Sequence, residues 1–157
     1  MGKYDNVEVH GEEREKALAR LYNQVKEWGL TLPDVTPLPL HFGLDRFMEI
    51  GETEFWIANE EKNGYCGKFL FVFDGQRCPY HSHNMKHETF FVVKGSICMT
   101  TNDEDQVMKE GDLLVMPPGV GHSFIGIGPS LILEVSMPSI LNDNFFRDKN
   151  IGDNGVI

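Results

Sequence analysis

Three histidines and a glutamate occur at spacings that let one metal ion collect all four side chains. The run His81-Ser82-His83-Asn84-Met85-Lys86-His87-Glu88 is followed, after a Gly-rich turn, by His122. Two histidines one residue apart on an extended strand point to the same face, so His81 and His83 can reach one shared point. Three neutral imidazoles and a carboxylate suit a divalent transition metal and leave positions for water or substrate. The other histidines, His10, His41 and His87, lack such partners and read as ordinary surface or core residues.

The elements that must position these groups are short strands. The 157 residues can bury one core and are too few for two ordinary domains. An apolar fraction of 41% with 24% charged residues is that of a globular protein. A net charge of −10 argues against nucleic acid or an anionic membrane as partner. No apolar run is long enough to span a membrane. The start, Met1 to Asn6, shows no secretory stretch, and Cys66, Cys78 and Cys98 form no Cys-x-x-Cys pair. A cytoplasmic location is therefore expected.

Residues 12 to 28 place Leu18, Leu21, Tyr22, Val25 and Trp28 on one helical face, with Glu12, Glu13 and Glu15 at the start and Gly29 as the stop. Pro33, Pro37 and Pro39 then mark a connecting arm. From Leu40 on, strands are expected at 55–58, 68–73, 89–93, 96–100, 113–116, 123–125 and 131–135. Turns are signalled at Asp74-Gly75, Lys94-Gly95, Asn102-Asp103, Glu110-Gly111 and Pro117-Pro118-Gly119. So many closely spaced short strands suggest an all-β sandwich or barrel. The expected division is a helix and arm at 1–39, a barrel at 40–138, and a tail at 139–157 laid over the barrel.

Two stretches resemble the paired signatures of the cupin superfamily. Gly75, His81-x-His83, Glu88 and Gly95 stand at the intervals of the first, and Gly111, Pro117-x-Gly119 and His122 at those of the second. Gly126 stands where that family often has Asn. The resemblance implies a small antiparallel jelly-roll barrel with His81, His83, Glu88 and His122 as inward-facing metal ligands.

Two further ionisable residues share this neighbourhood. Lys86 precedes Glu88 by two, so in an extended segment both face one way. Glu134 lies in Leu131-Ile132-Leu133-Glu134-Val135, a run apolar enough to be buried on both faces. A carboxylate there needs a cation, either the metal or Lys86. A metal with two adjacent open positions can chelate neighbouring sugar oxygens and stabilise an enediolate, with the carboxylate taking a proton and the ammonium supporting an oxygen. That is the chemistry of an aldose–ketose isomerase acting through a metal-bound enediol.

Cys78-Pro79-x-His81-x-His83, Lys86-x-Glu88-Thr89-Phe90, Glu134-Val135-Ser136 and Phe145-Phe146-Arg147-Asp148 together resemble the small cupin-type D-lyxose isomerases. The resemblance implies Mn2+ as the usual metal, with Zn2+, Fe2+, Co2+ or Ni2+ as alternatives. It implies free sugars as substrates, D-lyxose and D-xylulose or mannose and fructose. Carried over by position, Lys86 and Glu134 become the acid–base pair and Asp148 a sugar contact, and the protein is expected to be a homodimer. Two rivals share the fold: a mononuclear iron dioxygenase with the same four ligands, and a sugar-binding cupin without turnover.

Overall fold

The computed structural model describes residues 6–157; the reading made on the first five residues lies outside them. One helix, α1 (Gly11–Glu27), precedes nine strands: β1 (Leu38–Leu40), β2 (Glu52–Glu60), β3 (Tyr65–Val72), β4 (Arg77–Ser82), β5 (Glu88–Thr101), β6 (Glu104–Lys109), β7 (Leu113–Met116), β8 (His122–Ser136) and β9 (Phe145–Phe146). They form one curled antiparallel sheet in the order β1-β2-β3-β8-β4-β9, with β5 joining β8 to β6 and β7. This is the all-β jelly roll with an N-terminal helix that the sequence suggests.

Alternation along the strands decides what lies on each side. On β3, Leu70 and Val72 point into the barrel with Phe90, Val92, Met99, Phe124 and Ile132. Phe71 and the following Phe73 point outward, where Leu21 and Val25 of α1 cover them. A strand buried on both faces reads as a continuous apolar run, which is why 69–73 carries no polar residue. The helix buries Ala17, Leu21 and Val25, while Tyr22 at the edge of the expected stripe is 45% exposed.

Two long strands replace pairs of short ones. Lys94-Gly95 is not a turn: β5 runs through it with shifts of register on either side. Gly95 sits at φ +77°, and a Cβ there would meet the Pro129 carbonyl and Ser130 Oγ. The glycine thus permits a bulge at which β5 bends past β8. Gly126 has a similar reason, since a Cβ at this position would lie 2.5 Å from the Phe73 carbonyl oxygen. The proline arm contains the short edge strand β1, paired to β2 through Leu38, Pro39 and Leu40. Proline is tolerated there because Pro39 need supply only its carbonyl, which accepts from Val9 N at 2.8 Å. The strand β6 is mostly exposed and charged, so it lacks an apolar signature altogether.

The last residues turn back onto the barrel. Phe145 and Phe146 pair with Ser82 and His81. Phe146 and Ile151 are buried against Val7, Leu40 and Phe42. The segment closes one end of the barrel beside the histidines.

Candidate metal centre and acid–base pair

Strand pairing brings the four expected ligands to one place. His81 on β4 lies opposite His122 at the start of β8, and Glu88 opens β5 opposite Ser136. His83 follows directly after β4, its carbonyl accepting a hydrogen bond from Gly119 N at 2.6 Å. The histidine ligand atoms lie within 4.8 Å of one another. Glu88 Oε2 is 3.5 Å from His83 Nε2 and 3.3 Å from His122 Nε2.

Each imidazole is oriented by a backbone carbonyl. His81 Nδ1 lies 2.8 Å from Pro79 O, His83 Nδ1 2.8 Å from Asp143 O, and His122 Nδ1 3.0 Å from Val120 O. A carbonyl only accepts, so Nδ1 carries the proton in each ring and Nε2 presents a lone pair to the centre. Burial, reinforced by the other two histidines, pushes His81 well below its ordinary pKa. Burial and Lys86 lower His83 to about 4, and burial also lowers His122. All three rings are neutral at pH 7, the form that binds metal.

The inner atoms have no other use. His83 Nε2, His122 Nε2 and Glu88 Oε2 are buried without a hydrogen-bond partner. Two ring lone pairs facing a carboxylate oxygen repel unless a cation or proton lies between them. Burial and the nearby Glu134 accordingly push Glu88 up to about 8. The donor set therefore fits a divalent ion, which His81, His83, His122 and Glu88 would hold.

Beside this cluster lies a chain of buried charges. Lys86 Nζ is 2.9 Å from Glu88 Oε1 and 2.9 Å from Glu134 Oε2. Lys68 Nζ, on β3, is 3.0 Å from Glu54 Oε1 on β2 and 4.0 Å from Glu134 Oε1. Burial alone would raise Glu134, but Lys68 and Lys86 outweigh it and hold that carboxyl below the ordinary carboxylate range. Burial would lower Lys86, yet Glu134 and Glu88 prevail and keep it a firm cation. With Glu52, the cavity walls carry four carboxylates and two ammonium groups.

Asp148 is not brought in: its Oδ1 accepts from Asn150 N at 2.9 Å and from Asn150 Nδ2 at 3.0 Å, closing its own turn. A tail residue that braces the site is Asp143. Its carboxylate accepts from the N–H groups of Asn84 at 2.9 Å and Lys86 at 3.3 Å, and its carbonyl orients His83. Lys68, Glu52, Glu54 and Asp143 all escaped the sequence reading. An alternation Glu52-x-Glu54-x-Trp56 is also what a solvated strand face looks like, and a lone Asp in a polar tail carries no signal.

Comparison with known proteins agrees with this fold. Residues 69–136 match the family model described as a cupin domain. The chain is 28% identical over 123 residues to the 3-hydroxyanthranilate 3,4-dioxygenase of Lodderomyces elongisporus, spanning 68% of this chain but less than two thirds, 66%, of that enzyme. Among solved structures, L-ribose isomerase from Cellulomonas parahominis, determined with L-ribose, superposes with a TM-score of 0.75 at 17% identity, covering 96% of this chain and 98% of that one. A mutant L-ribose isomerase from Acinetobacter sp. DL28, also with L-ribose, gives 0.68 at 16% identity, covering 85% and 83%. Residues 69–136 thus resemble a cupin domain, and the fold of the chain is similar to that of the L-ribose isomerases.

Proposed function

We propose that the protein is a metal-dependent isomerase that interconverts a free aldose and its ketose. The observation that carries this reading is the buried pair Lys86–Glu134, 2.9 Å apart and directly beside the histidine–glutamate cluster. A lysine and a glutamate buried to this degree are costly as structure alone, and an apolar pair would serve stability as well. In the same cavity they supply opposite charge types to a reacting carbon.

His81, His83, His122 and Glu88 would hold the ion, with Mn2+ as the proposed metal. When bound, it would act as a Lewis acid toward the sugar's carbonyl oxygen. Glu134, ionised at neutral pH, takes the proton from C2 and returns it to C1 on the same face. Lys86 donates a hydrogen bond to the oxygen on which negative charge gathers, and its acidic neighbours keep it charged for that task. The hydroxyl hydrogen of O2 ends on O1, so that the enediol collapses to the ketose with no net loss of protons. Lys68 holds Glu134 in its ionised form. Phe146 and Asn144 line the cavity from the tail and limit access of water.

The proposed substrates are pentoses or hexoses of the D-lyxose or mannose type; the L-ribose isomerase neighbours favour a pentose. The working unit is proposed to be a cytoplasmic homodimer; no helix among the described residues is long and apolar enough to cross a membrane.

A second reading, an iron-dependent ring-opening dioxygenase, is favoured by the 28% identity to 3-hydroxyanthranilate 3,4-dioxygenase. It leaves Lys86 and Glu134 without a task. Protein loaded separately with Mn2+ and Fe2+ is to be assayed for aldose–ketose conversion and for oxygen uptake with 3-hydroxyanthranilate. Conversion without oxygen uptake supports the isomerase; oxygen uptake by the iron form without sugar conversion replaces it.

A further inference from the structure

The reaction as proposed uses one part of the cavity and leaves the adjoining wall, formed by β2 and β3, largely unexplained. Glu52, Glu54 and Trp56 alternate along β2, and Lys68 stands across from Trp56 on β3. All four line the same cavity as Lys86 and Glu134. Glu52 and Glu54 are each 5% exposed and Lys68 7%. The row continues across the sheet, because Lys68 pairs with Glu134 of β8.

Charge pairing does not account for this wall. Lys68 satisfies one oxygen of Glu54 and approaches Glu134, but two carboxyls here share a single close ammonium. Glu52 Oε2 is buried with no hydrogen-bond partner. A buried acceptor left unmatched is costly. Burial and the adjacent Glu54 push the Glu52 carboxyl well above its ordinary pKa. Trp56 lays its ring 4.6 Å from Lys68 Nζ, which gives the wall an apolar face next to its polar groups. Carboxylate acceptors, an ammonium and an aromatic face together match a chain of carbons that each bear a hydroxyl.

We infer that Glu52, Glu54 and Lys68 form a second subsite, which binds the hydroxyls of the sugar remote from the reacting carbons and selects for chain length and configuration. The inference rests on the isomerase reading for its substrate class. It adds residues on β2 and β3 that recognise the sugar without touching C1 or C2. Lys68 joins the two halves of the cavity, since it lies between Glu54 and Glu134. Occupation of the far subsite therefore alters the setting of the carboxylate proposed as the base.

The test is binding of a pentitol, xylitol or ribitol, to the manganese-loaded protein, followed by titration calorimetry and by tryptophan fluorescence. Glu54→Gln and Glu52→Gln are compared with the parent chain, each first checked for metal content and thermal unfolding. In parallel, kcat/KM is measured for a pentose and for glyceraldehyde, which is too short to reach the far wall. Pentitol affinity about tenfold or more lower in either folded variant, with the pentose-to-triose ratio of kcat/KM falling alongside, supports the subsite. A purely structural role would lower both substrates alike and leave that ratio unchanged, which overturns it. Should the variants bind pentitol as the parent does while the parent turns over sugars, the subsite fails and the isomerase stands. If the loaded parent neither binds a pentitol nor converts any sugar, both readings fail together.

Discussion

Lys86 and Glu88 divide one carboxylate between two tasks: Oε1 lies 2.9 Å from the lysine ammonium, while Oε2 turns to the histidines without a hydrogen bond. The lysine fixes the glutamate's rotation, so that one oxygen is committed and the other remains free for a cation. It also reaches Glu134 at the same distance, tying the proposed ligand to the proposed base.

Removing that lysine leaves two buried carboxylates facing each other. Lys86→Met is expected to lower the stability of the metal-free protein by about 3 kcal/mol, the scale of a broken buried ion pair. Urea unfolding checks it through the midpoint concentration. An unchanged midpoint would mean that the carboxylates are neutralised by other means.

Asp143 acts at one remove. Its carboxylate gathers the N–H groups of Asn84, Met85 and Lys86, and so sets the loop that carries His83 and Lys86. Asp143→Ala is expected to weaken metal binding by about tenfold, as loss of a group that orients a ligand does. Competition against a chelating dye measures this, and equal affinities would show that the backbone carbonyl alone orients His83.

Stability of the metal-free protein should fall as pH rises from 6.5 to 8.5. Glu88 is raised to about 8 by burial and Glu134, while an unfolded glutamate titrates near about 4.3. Between these values the folded state keeps a proton that the unfolded state gives up, so rising pH favours unfolding. Glu52, raised by burial and Glu54, adds the same sign. His83, lowered to about 4 by burial and Lys86, acts oppositely, but only below the unfolded histidine value of about 6.5. Thermal unfolding across the window, with and without Mn2+, reads the effect. Bound metal keeps Glu88 ionised and should flatten the decline; a metal-free melting temperature that rises over this range contradicts the argument.

His83→Ala should abolish retention of the metal together with turnover, read by elemental analysis and sugar assay. Full turnover by metal-stripped protein would remove the Lewis acid from the reaction.

Much of this was legible in the sequence, and the misses share a cause. The spacings around His81, Glu88 and His122 foreshadow a cluster, and the structure brings those side chains together with Lys86 and Glu134. Period-two alternation places a residue on a face but does not say which face is wet. Glu52 and Glu54 precede the expected strand 55–58 and Lys68 stands at the first position of 68–73, although all three face the cavity. Lys94-Gly95 looks like a turn, yet β5 runs on through it. A bulge and a turn demand the same permissive residue, so only the partner strand distinguishes them. Asp148 was singled out from its neighbours in sequence, and its carboxylate is used up locally.

The central claim is that a sugar gives its C2 proton to Glu134 beside a metal held by His81, His83, His122 and Glu88. Proton NMR of free pentoses and hexoses in D2O, with manganese-loaded parent protein and Glu134→Gln at matched metal content, tests it most directly. The expected result is deuterium at C2 of the aldose or C1 of the ketose with the parent, slowed about 10²-fold or more in the variant. Exchange at the parental rate in Glu134→Gln, or no exchange from any sugar with fully loaded parent protein, would contradict it.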